Sequence, residues 1–540
     1  MFKEIVEINK FDEVFLEITC KSEELLKIIS SHFSLFEKGY LFAPLFKLGV
    51  WDGKKHLFKK ITSNKYRFYN GNIGKILNIL KKEKIAFKNN ILENQPFLNE
   101  NVFQKFFENS TFSAKGKILQ NVNCSETNPR YFQIEALKEV ILNKKIILDA
   151  SPGTGKTYIM YYITKYLLEV ENLNNILIIV PSKLLLEQTW DGFLEYSEFD
   201  KTFDTKTLVH KINTKNGKIT EKRVTLSTYQ SLNRIKEEEY FEKFECVMLD
   251  EAHEINNNSL IKINESCVNA SYRIALSGSL NDIGKDEIMT DILLGMFGNK
   301  RIVLKKTHEA IKEGFLNPFE IIIYNITYDD EDKNKFGKSV WSISQRYPRK
   351  EDKYGKIYEF EIDYLIKHKK RNNLLAKMAC KLSDRGNTLF LFTLVEKDLN
   401  VFYEHIKNIF KEKYPERNIY IVTSEAKKFN KKESEKIREL VENDSNCLIL
   451  STYSSFSTGI SIDNINNLVL ASPKKSSRKV IQSIGRTLRI SPNGLKSLVI
   501  DIKDILSKGR FNNYSMKHSD IRVDLYKEEL YNYSFKDISF

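Results

Sequence analysis

The segment "KKIILDASPGTGKT", residues 144–157, joins a short apolar run to a glycine-rich loop. The backbone N–H groups of such a loop can surround a phosphate chain where a helix begins. Lys156 can then reach the β and γ phosphates, and Thr157 can bind Mg²⁺. A chance glycine-rich turn is the alternative, but the order of strand, loop and helix favours a nucleotide site. The other loop residues are Gly153, Thr154 and Gly155, with Ala150 where the first glycine usually stands.

Short apolar runs rich in β-branched residues recur on both sides of this loop. Such runs are typical of parallel strands that are buried on both faces of a sheet. They form two series, so we expect an α/β protein with two tandem parallel-sheet domains. The first series is "KKIILDA", "NILIIVP", "CVMLD" and "YRIALSGS"; the second is "TLFLFT", "NIYIVTS", "CLILST", "NLVLASP" and "SLVIDI".

The stretch between the two series, residues 328–356, is charged and poor in aliphatic residues. It reads "YDDEDKNKFGKSVWSISQRYPRKEDKYGK". This composition favours a solvated loop inserted in the second α/β domain. A contact with nucleic acid is the alternative.

A small α/β domain is expected at the N-terminus. "EVFLEITC" predicts a strand, and Ser22 can cap a helix over "EELLKIISSHF". "IGKILNILKK" predicts a second helix. Between these helices, residues 39–58 read "GYLFAPLFKLGVWDGKKHLF" and predict two strands around an Asp52-Gly53 turn.

Residues 39–58 combine aromatic side chains with lysines, and two interpretations stay open. In the first, the aromatic residues fill a small core and the lysines are solvated. In the second, Lys54 and Lys55 contact phosphates and Trp51 stacks on an unpaired base. From Lys38 to Lys88 there are thirteen basic residues and two acidic ones, so one face of this domain is expected to be positive.

The totals for the chain agree with a polyanionic partner. Its 540 residues suit several domains, and 85 Lys and Arg against 71 Asp and Glu give a net charge of +14. The six cysteines are far apart and form no C-x-x-C pair, which disfavours a zinc ribbon or a disulfide framework and fits a reducing compartment. No signal peptide and no apolar stretch of about 20 residues is present, so we expect no membrane span. Nucleic acid is then the favoured partner, and the cytoplasm is the expected compartment.

The segment "VMLDEAHEI", residues 247–255, ends another apolar strand. Asp250 lies at the carboxyl end of that strand, where a carboxylate can bind Mg²⁺. Glu251 can orient and deprotonate an attacking water. His253 alone could be a structural histidine, but inside Asp-Glu-Ala-His we favour a role in sensing the nucleotide.

The segment "QSIGRTLRI", residues 482–490, lies near the end of the second series. Arg486 and Arg489 are one helical turn apart and share a helix face. Alone, the pair would suit salt bridges. Together with the motifs at Lys156 and Asp250, it suits arginine fingers that stabilise γ-phosphate charge during transfer.

The order of these motifs resembles that of superfamily 2 helicases and translocases over roughly residues 125–510. "RYFQIEAL" (130–137) resembles the family's adenine-recognition segment. "FSTGISIDN", "QSIGRTLR" and "WDGKKHLF" resemble the branched-DNA helicases of bacteriophages within the superfamily. The other matching segments are "VPSKLLLEQ" (180–188), "LSTYQSL" (226–232), "LSGSL" (276–280), "LFLFT" (389–393) and "STYSSFSTGISIDNI" (451–465).

For the nucleotide, the resemblance implies that ATP and Mg²⁺ bind between two RecA-like domains. Thr157 and Asp250 would hold the metal, and Gln133 would contact the adenine. The implied catalytic residues are Lys156, Asp250, Glu251, His253, Gln482, Arg486 and Arg489. The implied nucleotide-binding residues are Arg130, Gln133, Gly153, Thr154, Gly155, Lys156, Thr157 and Gly459.

For the substrate, the resemblance implies single-stranded DNA running over the carboxyl side of both sheets. Movement would be 3′-to-5′, with remodelling of forks, D-loops or four-way junctions in recombination, repair or replication restart. The protein would act as a monomer on branched DNA or single-strand/duplex junctions, with single-strand-binding or recombination proteins as further partners. The expected DNA contacts are Trp51, Lys54, Lys55, Ser182, Thr228, Gln230, Thr393 and Thr458.

These inferences define a domain plan. We expect a DNA-recognition domain at 1–115, RecA-like domains at 116–300 and 301–510, and a short helical tail at 511–540. An RNA helicase is one alternative, since the motor motifs do not distinguish the two sugars. A motor subunit of a restriction or defence complex is a second, and an ATP-gated clamp that does not move along nucleic acid is a third.

Overall fold

The computed structural model places three large β-sheets along the chain, together with two pairs of short strands. It describes residues 4–91, 97–110, 112–114, 117–119, 129–151, 153–212, 221–237, 239–278, 286–347, 350–422, 440–441, 443–458, 465–473, 480, 483–485, 496–507 and 513–540. The chain divides into two compact units, Met1–Ser151 with Gly155–Lys305 and Pro152–Thr154 with Lys306–Phe540.

The N-terminal part of the first unit is built on a five-stranded sheet in the order β5-β6-β2-β1-β7. Its neighbouring strands are antiparallel except for β1 and β7, which are parallel. Ser22 caps α1 as the sequence predicts, since its Oγ accepts from Leu25 N at 3.4 Å. The elements are β1 (Val6–Lys10), β2 (Phe15–Thr19), α1 (Glu23–Ser31), β3 (Ser34–Phe36), α2 (Pro44–Lys47), β4 (Lys54–His56), β5 (Phe58–Thr62), β6 (Lys65–Tyr69), α3 (Ile73–Lys82) and β7 (Phe87–Asn89). α4 (Glu100–Asn109), β8 (Phe112–Ala114) and β9 (Lys117–Leu119) follow.

The predicted strand over residues 40–49 is wrong. Residues Tyr40–Phe42 form a 3₁₀ turn, and Pro44 begins the short helix α2. Proline suits this first helical position because its missing N–H has no partner there in any helix. Gly39 and Gly49, with φ of 80° and 68°, flank the two turns in the left-handed conformation that glycine tolerates best.

The rest of the first unit contains a seven-stranded parallel sheet in the order β12-β13-β11-β14-β15-β10-β16. β16 pairs with β10, so the first parallel-sheet domain reaches Lys305, beyond the boundary predicted at residue 300. The elements are α5 (Tyr131–Asn143), β10 (Lys145–Ala150), α6 (Lys156–Glu169), β11 (Ile176–Val180), α7 (Lys183–Tyr196), α8 (Thr205–Leu208), β12 (Val209–Lys211), β13 (Val224–Thr228), α9 (Tyr229–Leu232), α10 (Glu239–Glu242), β14 (Cys246–Asp250), α11 (Asn258–Ser266), β15 (Tyr272–Ser277), α12 (Glu287–Phe297) and β16 (Arg301–Lys305).

The second unit has its own seven-stranded parallel sheet, in the order β19-β20-β18-β21-β22-β17-β23. Numbered from its first strand, this order is the same as that of the first parallel sheet, which confirms the prediction of two tandem domains of one architecture. The elements are α13 (Thr307–Lys312), β17 (Phe319–Thr327), α14 (Asp330–Arg346), α15 (Lys350–Lys367), α16 (Lys369–Ser383), β18 (Thr388–Phe392), α17 (Asn400–Lys413), β19 (Ile419–Val422), β20 (Leu448–Thr452), α18 (Tyr453–Thr458), β21 (Asn467–Leu470), β22 (Ser497–Ile505), α19 (Tyr514–Glu528) and β23 (Tyr533–Ser539).

Two predictions for the second unit need correction. Most of the charged stretch 328–356 is not a loop, because α14 and the beginning of α15 occupy it. Most of its charged side chains are exposed, while Phe336 and Val340 are buried. The C-terminal tail is also more than a helix, because β23 pairs in parallel with β17 as the edge strand of the sheet.

Within the first unit, the N-terminal sheet and the parallel-sheet domain share one hydrophobic core. Their backbones approach so closely that a Cβ added to Gly71 would lie 1.9 Å from the carbonyl oxygen of Leu294 in α12. Tyr69 Oη donates to Glu265 Oε1 of α11 at 2.7 Å. Lys75 forms an ion pair with Asp291 of α12. The N-terminal domain is therefore packed firmly on α11 and α12.

The buried Arg273 of β15 holds these two helices to the sheet. Its guanidinium donates to the carbonyl oxygens of Asn264 at 2.8 Å, Cys267 at 3.1 Å and Met296 at 2.8 Å. The acceptors lie at the carboxyl ends of α11 and α12, where helix dipoles favour a cation. Burial lowers the pKa of Arg273. In the part of the chain that the structure describes, no helix is long and apolar enough to cross a membrane.

Candidate functional site

The glycine-rich loop leads from β10 into α6 with the geometry that the sequence predicts. Gly153 and Gly155 have φ of 86° and 83°, in the left-handed region. A Cβ on Gly155 would lie 2.7 Å from Nε2 of Gln133, so a larger residue would clash there. Lys156 is the first residue of α6, which places the loop at a helix N-terminus suited to phosphate.

The Asp-Glu-Ala-His segment follows β14, at the same edge of the sheet as the loop. Lys156 Nζ lies 3.5 Å from Glu251 Oε1, and both side chains are less than a fifth exposed. Asp250 Oδ1 accepts from the backbone N–H of Glu251 at 2.9 Å. Glu251 has φ of 51°, which is uncommon for a residue with a side chain and is often seen at functional sites. The structure thus brings Lys156, Asp250 and Glu251 together.

Burial and charge act differently on the two carboxyl groups. Burial raises the pKa of Asp250, and the neighbouring carboxylate of Glu251 raises it further. Burial also acts to raise the pKa of Glu251, but the Lys156 ammonium and then His253 outweigh it, so this pKa lies below its usual range. Glu251 is therefore held as a carboxylate, the form that a general base requires.

The same residues fit a Mg²⁺ ion. Asp250 and Glu251 supply two desolvated carboxyl groups near the single ammonium of Lys156, and hard oxygen donors are what Mg²⁺ prefers. The buried Oε2 atom of Glu251 has no well-formed hydrogen bond within the described ranges. Within the described ranges of the chain, no group of three or more His, Cys, Asp or Glu side chains is arranged to hold a metal by itself. A metal at this edge would therefore share its ligands with nucleotide phosphates.

His253 connects this site to the neighbouring strand. Its Nδ1 lies 3.0 Å from Ser277 Oγ at the end of β15 and 3.3 Å from Glu251 Oε2. Ser277 belongs to the "LSGSL" segment, and its contact with His253 was not foreseen. Only the pairing of β14 with β15 brings the two residues together.

The expected adenine contact, Gln133, is buried next to the glycine-rich loop. Its Oε1 accepts from the backbone N–H of Arg130 at 3.0 Å and so caps α5. Arg130 is half-buried, and burial lowers its pKa. The hydrogen bond between the two residues holds the N-terminus of α5 in place beside Gly155.

Three of the expected DNA contacts lie at one edge of the first parallel sheet, because β11 and β13 are parallel neighbours. Ser182 caps α7 by accepting from Leu185 N at 3.2 Å. The exposed Gln230 donates from Nε2 to the carbonyl of Pro181 at 3.1 Å. Thr228 is buried, and its hydroxyl caps α9 through Ser231. Thr228 therefore positions the helix that carries Gln230 and is too buried to contact DNA itself.

The expected residues of the second unit are only partly described. Thr393 directly follows β18. Its N–H donates to Asp398 Oδ2 at 2.9 Å and its hydroxyl donates to the carbonyl of Pro473 at 3.2 Å. Thr458 ends α18, but its side chain is outside the described part. Gly459, Gln482, Arg486 and Arg489 also lie outside the described residues.

The N-terminal candidates are less exposed than the sequence suggests. Trp51 is half-buried, and its Nε1 donates to the carbonyl of Lys54 at 2.9 Å. Lys54 lies over the ring of Phe36, and Lys55 Nζ donates to Asn258 Oδ1 of α11 at 3.3 Å. Burial lowers the pKa of Lys55. The exposed side chains of this segment, missed by the sequence analysis, are instead Leu41, Phe42, Leu45, Leu48 and Val50.

Taken together, a parallel sheet with this phosphate loop and an Asp-Glu-Ala-His strand end defines a P-loop nucleoside triphosphatase. Three protein-family models match the chain. They are the N-terminal domain of the DNA helicase UvsW at residues 6–78, the res subunit of type III restriction enzymes at 126–282, and the conserved C-terminal helicase domain at 370–491.

Individual relatives agree with these matches. The ATP-dependent DNA helicase UvsW of Enterobacteria phage T4 is 27% identical over 99% of both chains. A candidate ATP-dependent RNA helicase of African swine fever virus is 24% identical over 76% of both chains. A fragment of a candidate HsdR subunit of a type I restriction enzyme from Vibrio vulnificus has the same fold, with a TM-score of 0.52 and 19% identity over 76% of this chain and 69% of that one. The chain is a superfamily 2 helicase, an enzyme class that couples ATP hydrolysis to unwinding, and its N-terminal domain is of the UvsW type.

Proposed function

We propose that this helicase is a DNA translocase that remodels branched DNA such as forks, D-loops and four-way junctions. The observation that carries the motor part is the cluster of Lys156, Glu251, His253 and Ser277, with successive contacts of 3.5, 3.3 and 3.0 Å. The branched substrate is supported by the UvsW-type domain and by similarity to UvsW along the whole chain. Movement in the 3′-to-5′ direction is part of the same proposal.

In the proposed reaction, Lys156 binds the β and γ phosphates and keeps Glu251 ionised. Glu251 then accepts a proton from the attacking water. Thr157 and Asp250 would hold Mg²⁺, which supplies charge neutralisation at the phosphates. Gln133 and Arg130 position the base, and Gly459 contacts the nucleotide.

In this proposal, residues of the second domain stabilise the negative charge that develops on the γ phosphate in the transition state. Gln482 would position the attacking water, and Arg486 and Arg489 would act as arginine fingers on the γ phosphate. Replacing either arginine with alanine should slow hydrolysis with a smaller effect on ATP affinity. A loss seen only as weaker ATP binding would make that arginine a ground-state contact instead.

The proposed DNA path follows the carboxyl edges of the two parallel sheets. Ser182 and Gln230 lie at this edge in the first unit, and Thr393 lies at the corresponding edge in the second. Thr458 is proposed to contact DNA on the same path. Thr228 would act indirectly, by capping the helix that carries Gln230. Trp51, Lys54 and Lys55 would contribute by shaping the N-terminal DNA-recognition surface.

The deciding experiment is an ATPase assay with single-stranded, duplex, forked and four-way DNA and with RNA of matching sequence and shape. We expect the largest stimulation from forked and four-way DNA. Strand displacement on the same substrates separates a translocase from an ATP-gated clamp. Equal or greater stimulation by RNA would contradict the proposal and favour an RNA helicase, the activity named for the viral relative.

A further inference from the structure

Helix α14 has two chemically different faces. Phe336 and Val340 are buried in the core of the second unit. A second stripe, spaced at one helical turn, lines a shallow surface recess that is largely open to solvent. We call this stripe the Trp341 face; it consists of Lys333, Asn334, Gly337, Lys338, Trp341 and Ser342.

Trp341 stands out on this face because 67% of its surface is exposed. Tryptophan is usually largely buried, so a mostly exposed indole on an ordered helix calls for a partner. A side chain on a helix leans toward the preceding turn. The indole therefore leans toward the turn that contains Gly337, and the two residues line the same recess.

Gly337 has no packing reason to be glycine. A Cβ added there would meet nothing within 4 Å, and the backbone is not left-handed. Glycine inside a helix is unfavourable relative to alanine. The missing side chain leaves open space beside the indole, in which a flat ligand could reach the ring.

The charge of the face is positive. In the described part of the chain Lys333 and Lys338 form no ion pair, whereas two acids at the start of α14 are already engaged. Asp329 pairs with Lys370, and Asp332 contacts His368. An exposed aromatic ring between lysines matches the chemistry of a nucleotide, with a π-face on the base and an anionic phosphate on either side.

We propose that the Trp341 face binds one unpaired nucleotide of a DNA strand. The base stacks on the indole in the space left by Gly337, and Lys333 and Lys338 contact the adjoining phosphates. This rests on the proposed function and adds a strand contact to it. The site lies outside the three segments that match helicase family models, at 6–78, 126–282 and 370–491.

The first test is binding of a short oligothymidylate to the full-length protein, followed by tryptophan fluorescence without ATP. Stacking should quench the indole, and Trp341→Phe should keep most of the affinity because it keeps a ring. Trp341→Ala should weaken binding roughly tenfold, within the range of one base–aromatic stack. Trp190→Phe, which changes a tryptophan of the first unit, is the control for quenching at other indoles.

The second test uses the glycine. Gly337→Leu should stabilise the helix yet weaken oligothymidylate binding, a combination that a merely structural role would not produce. Gly355→Leu is the matched control, because Gly355 is also exposed within a helix and has nothing within 4 Å of an added Cβ. Lys333→Gln with Lys338→Gln should flatten the salt dependence by about 0.7 per lost phosphate contact.

The outcomes separate this inference from the proposed function. If forked DNA stimulates the ATPase but Trp341→Ala and Gly337→Leu bind oligothymidylate like the wild type, the Trp341 face is not a strand contact. If the face proves to bind only another protein, the inference is equally overturned. If forked DNA fails to stimulate the ATPase while the variants still lose binding, the proposed function fails and the nucleotide site stands.

Discussion

At the scale of single residues, Lys156 has two effects in the first unit. In the proposed reaction its ammonium binds the phosphates, and in the structure it lies 3.5 Å from the Glu251 carboxylate that it keeps ionised. Removing it therefore affects both binding and proton transfer. A change at Glu251 alone would affect only proton transfer, so it would not reproduce the loss of Lys156.

We expect Lys156→Ala to lower the rate of ATP hydrolysis by at least about 10²-fold, a typical loss for one preorganised electrostatic contact. The fold should persist, because the side chain is near the surface of the site and fills no core. Steady-state hydrolysis and circular dichroism measure the two effects. Lys183→Ala is the matched control, since Lys183 also begins a helix after a central strand but is exposed. Near-normal hydrolysis in Lys156→Ala would remove the loop from the mechanism.

Glu251→Gln should slow turnover by about 10²- to 10⁴-fold, the usual contribution of a general base. The amide keeps the shape of the side chain but cannot accept the proton, and it also removes the negative charge that raises the pKa of Asp250. Nucleotide binding should remain or become tighter, so the measurement is single-turnover hydrolysis beside equilibrium binding of ATP. Glu254→Gln, on an exposed neighbour, should behave like the wild type. Undiminished turnover in Glu251→Gln would assign the base elsewhere.

At the scale of elements, Arg273 links β15 to α11 and α12 without a carboxylate partner. Arg273→Leu would leave three buried carbonyl oxygens without their donor, and each such loss costs about 1–3 kcal/mol. We expect the unfolding temperature of the first unit to fall by roughly 5–15 °C in calorimetry. Arg234→Leu, at an exposed position of the same unit, should change it little. An unchanged unfolding temperature in Arg273→Leu would mean that water or relaxed packing replaces the guanidinium.

The elements also show how far the sequence could be interpreted. Buried parallel strands such as β10, β11 and β14 were predictable, because a strand covered on both faces needs an unbroken apolar run. The phosphate loop and the Asp-Glu-Ala-His segment were predictable because each needs particular residue types at consecutive positions, which can be recognised in the sequence itself. Gln133 was expected at the nucleotide, and the structure places it beside Gly155.

Other elements depend on contacts that a local pattern does not show. α14 buries little more than Phe336 and Val340, so its sequence resembles that of a solvated loop. β23 buries none of its residues, and only its pairing with β17 shows it to be a strand. The roles of Ser277 and Arg273 require the parallel sheet to be assembled first. None of these could be derived from spacing along the chain.

At the scale of the whole molecule, the N-terminal domain and the ATP-binding parallel-sheet domain of the first unit share one core. The N-terminal domain packs on α11 and α12, which follow the strands that end in Asp250 and Ser277. Removing residues 1–115 would expose this core and leave Asp291 and Glu265 without their cationic partners. We therefore expect that truncation to lower both the stability and the ATPase activity of the protein.

Gly71→Ala tests this packing with a smaller change. The added Cβ would overlap a carbonyl oxygen of α12, and overpacking of this kind costs about 1–3 kcal/mol. Hydrogen exchange of β1 and β2 should accelerate by roughly tenfold as the N-terminal domain loosens. In Gly74→Ala the new Cβ would be 3.7 Å from its nearest neighbour, so this variant should exchange like the wild type. Equal exchange in the two variants would contradict a close-packed interface.

The position of β17 has a consequence for biosynthesis. Both strands that pair with it, β22 and β23, lie near the far end of the chain. At about 5–20 residues per second, a ribosome needs roughly 9 to 35 s to travel from Thr327 to β22, and during that time the nascent strand has no neighbour in its sheet. The first unit, whose sheet closes with β16, can mature meanwhile. The second unit cannot complete its sheet until β22 and β23 have been synthesised, and until then the apolar strand β17 has unpaired edges that are open to aggregation or to chaperone binding.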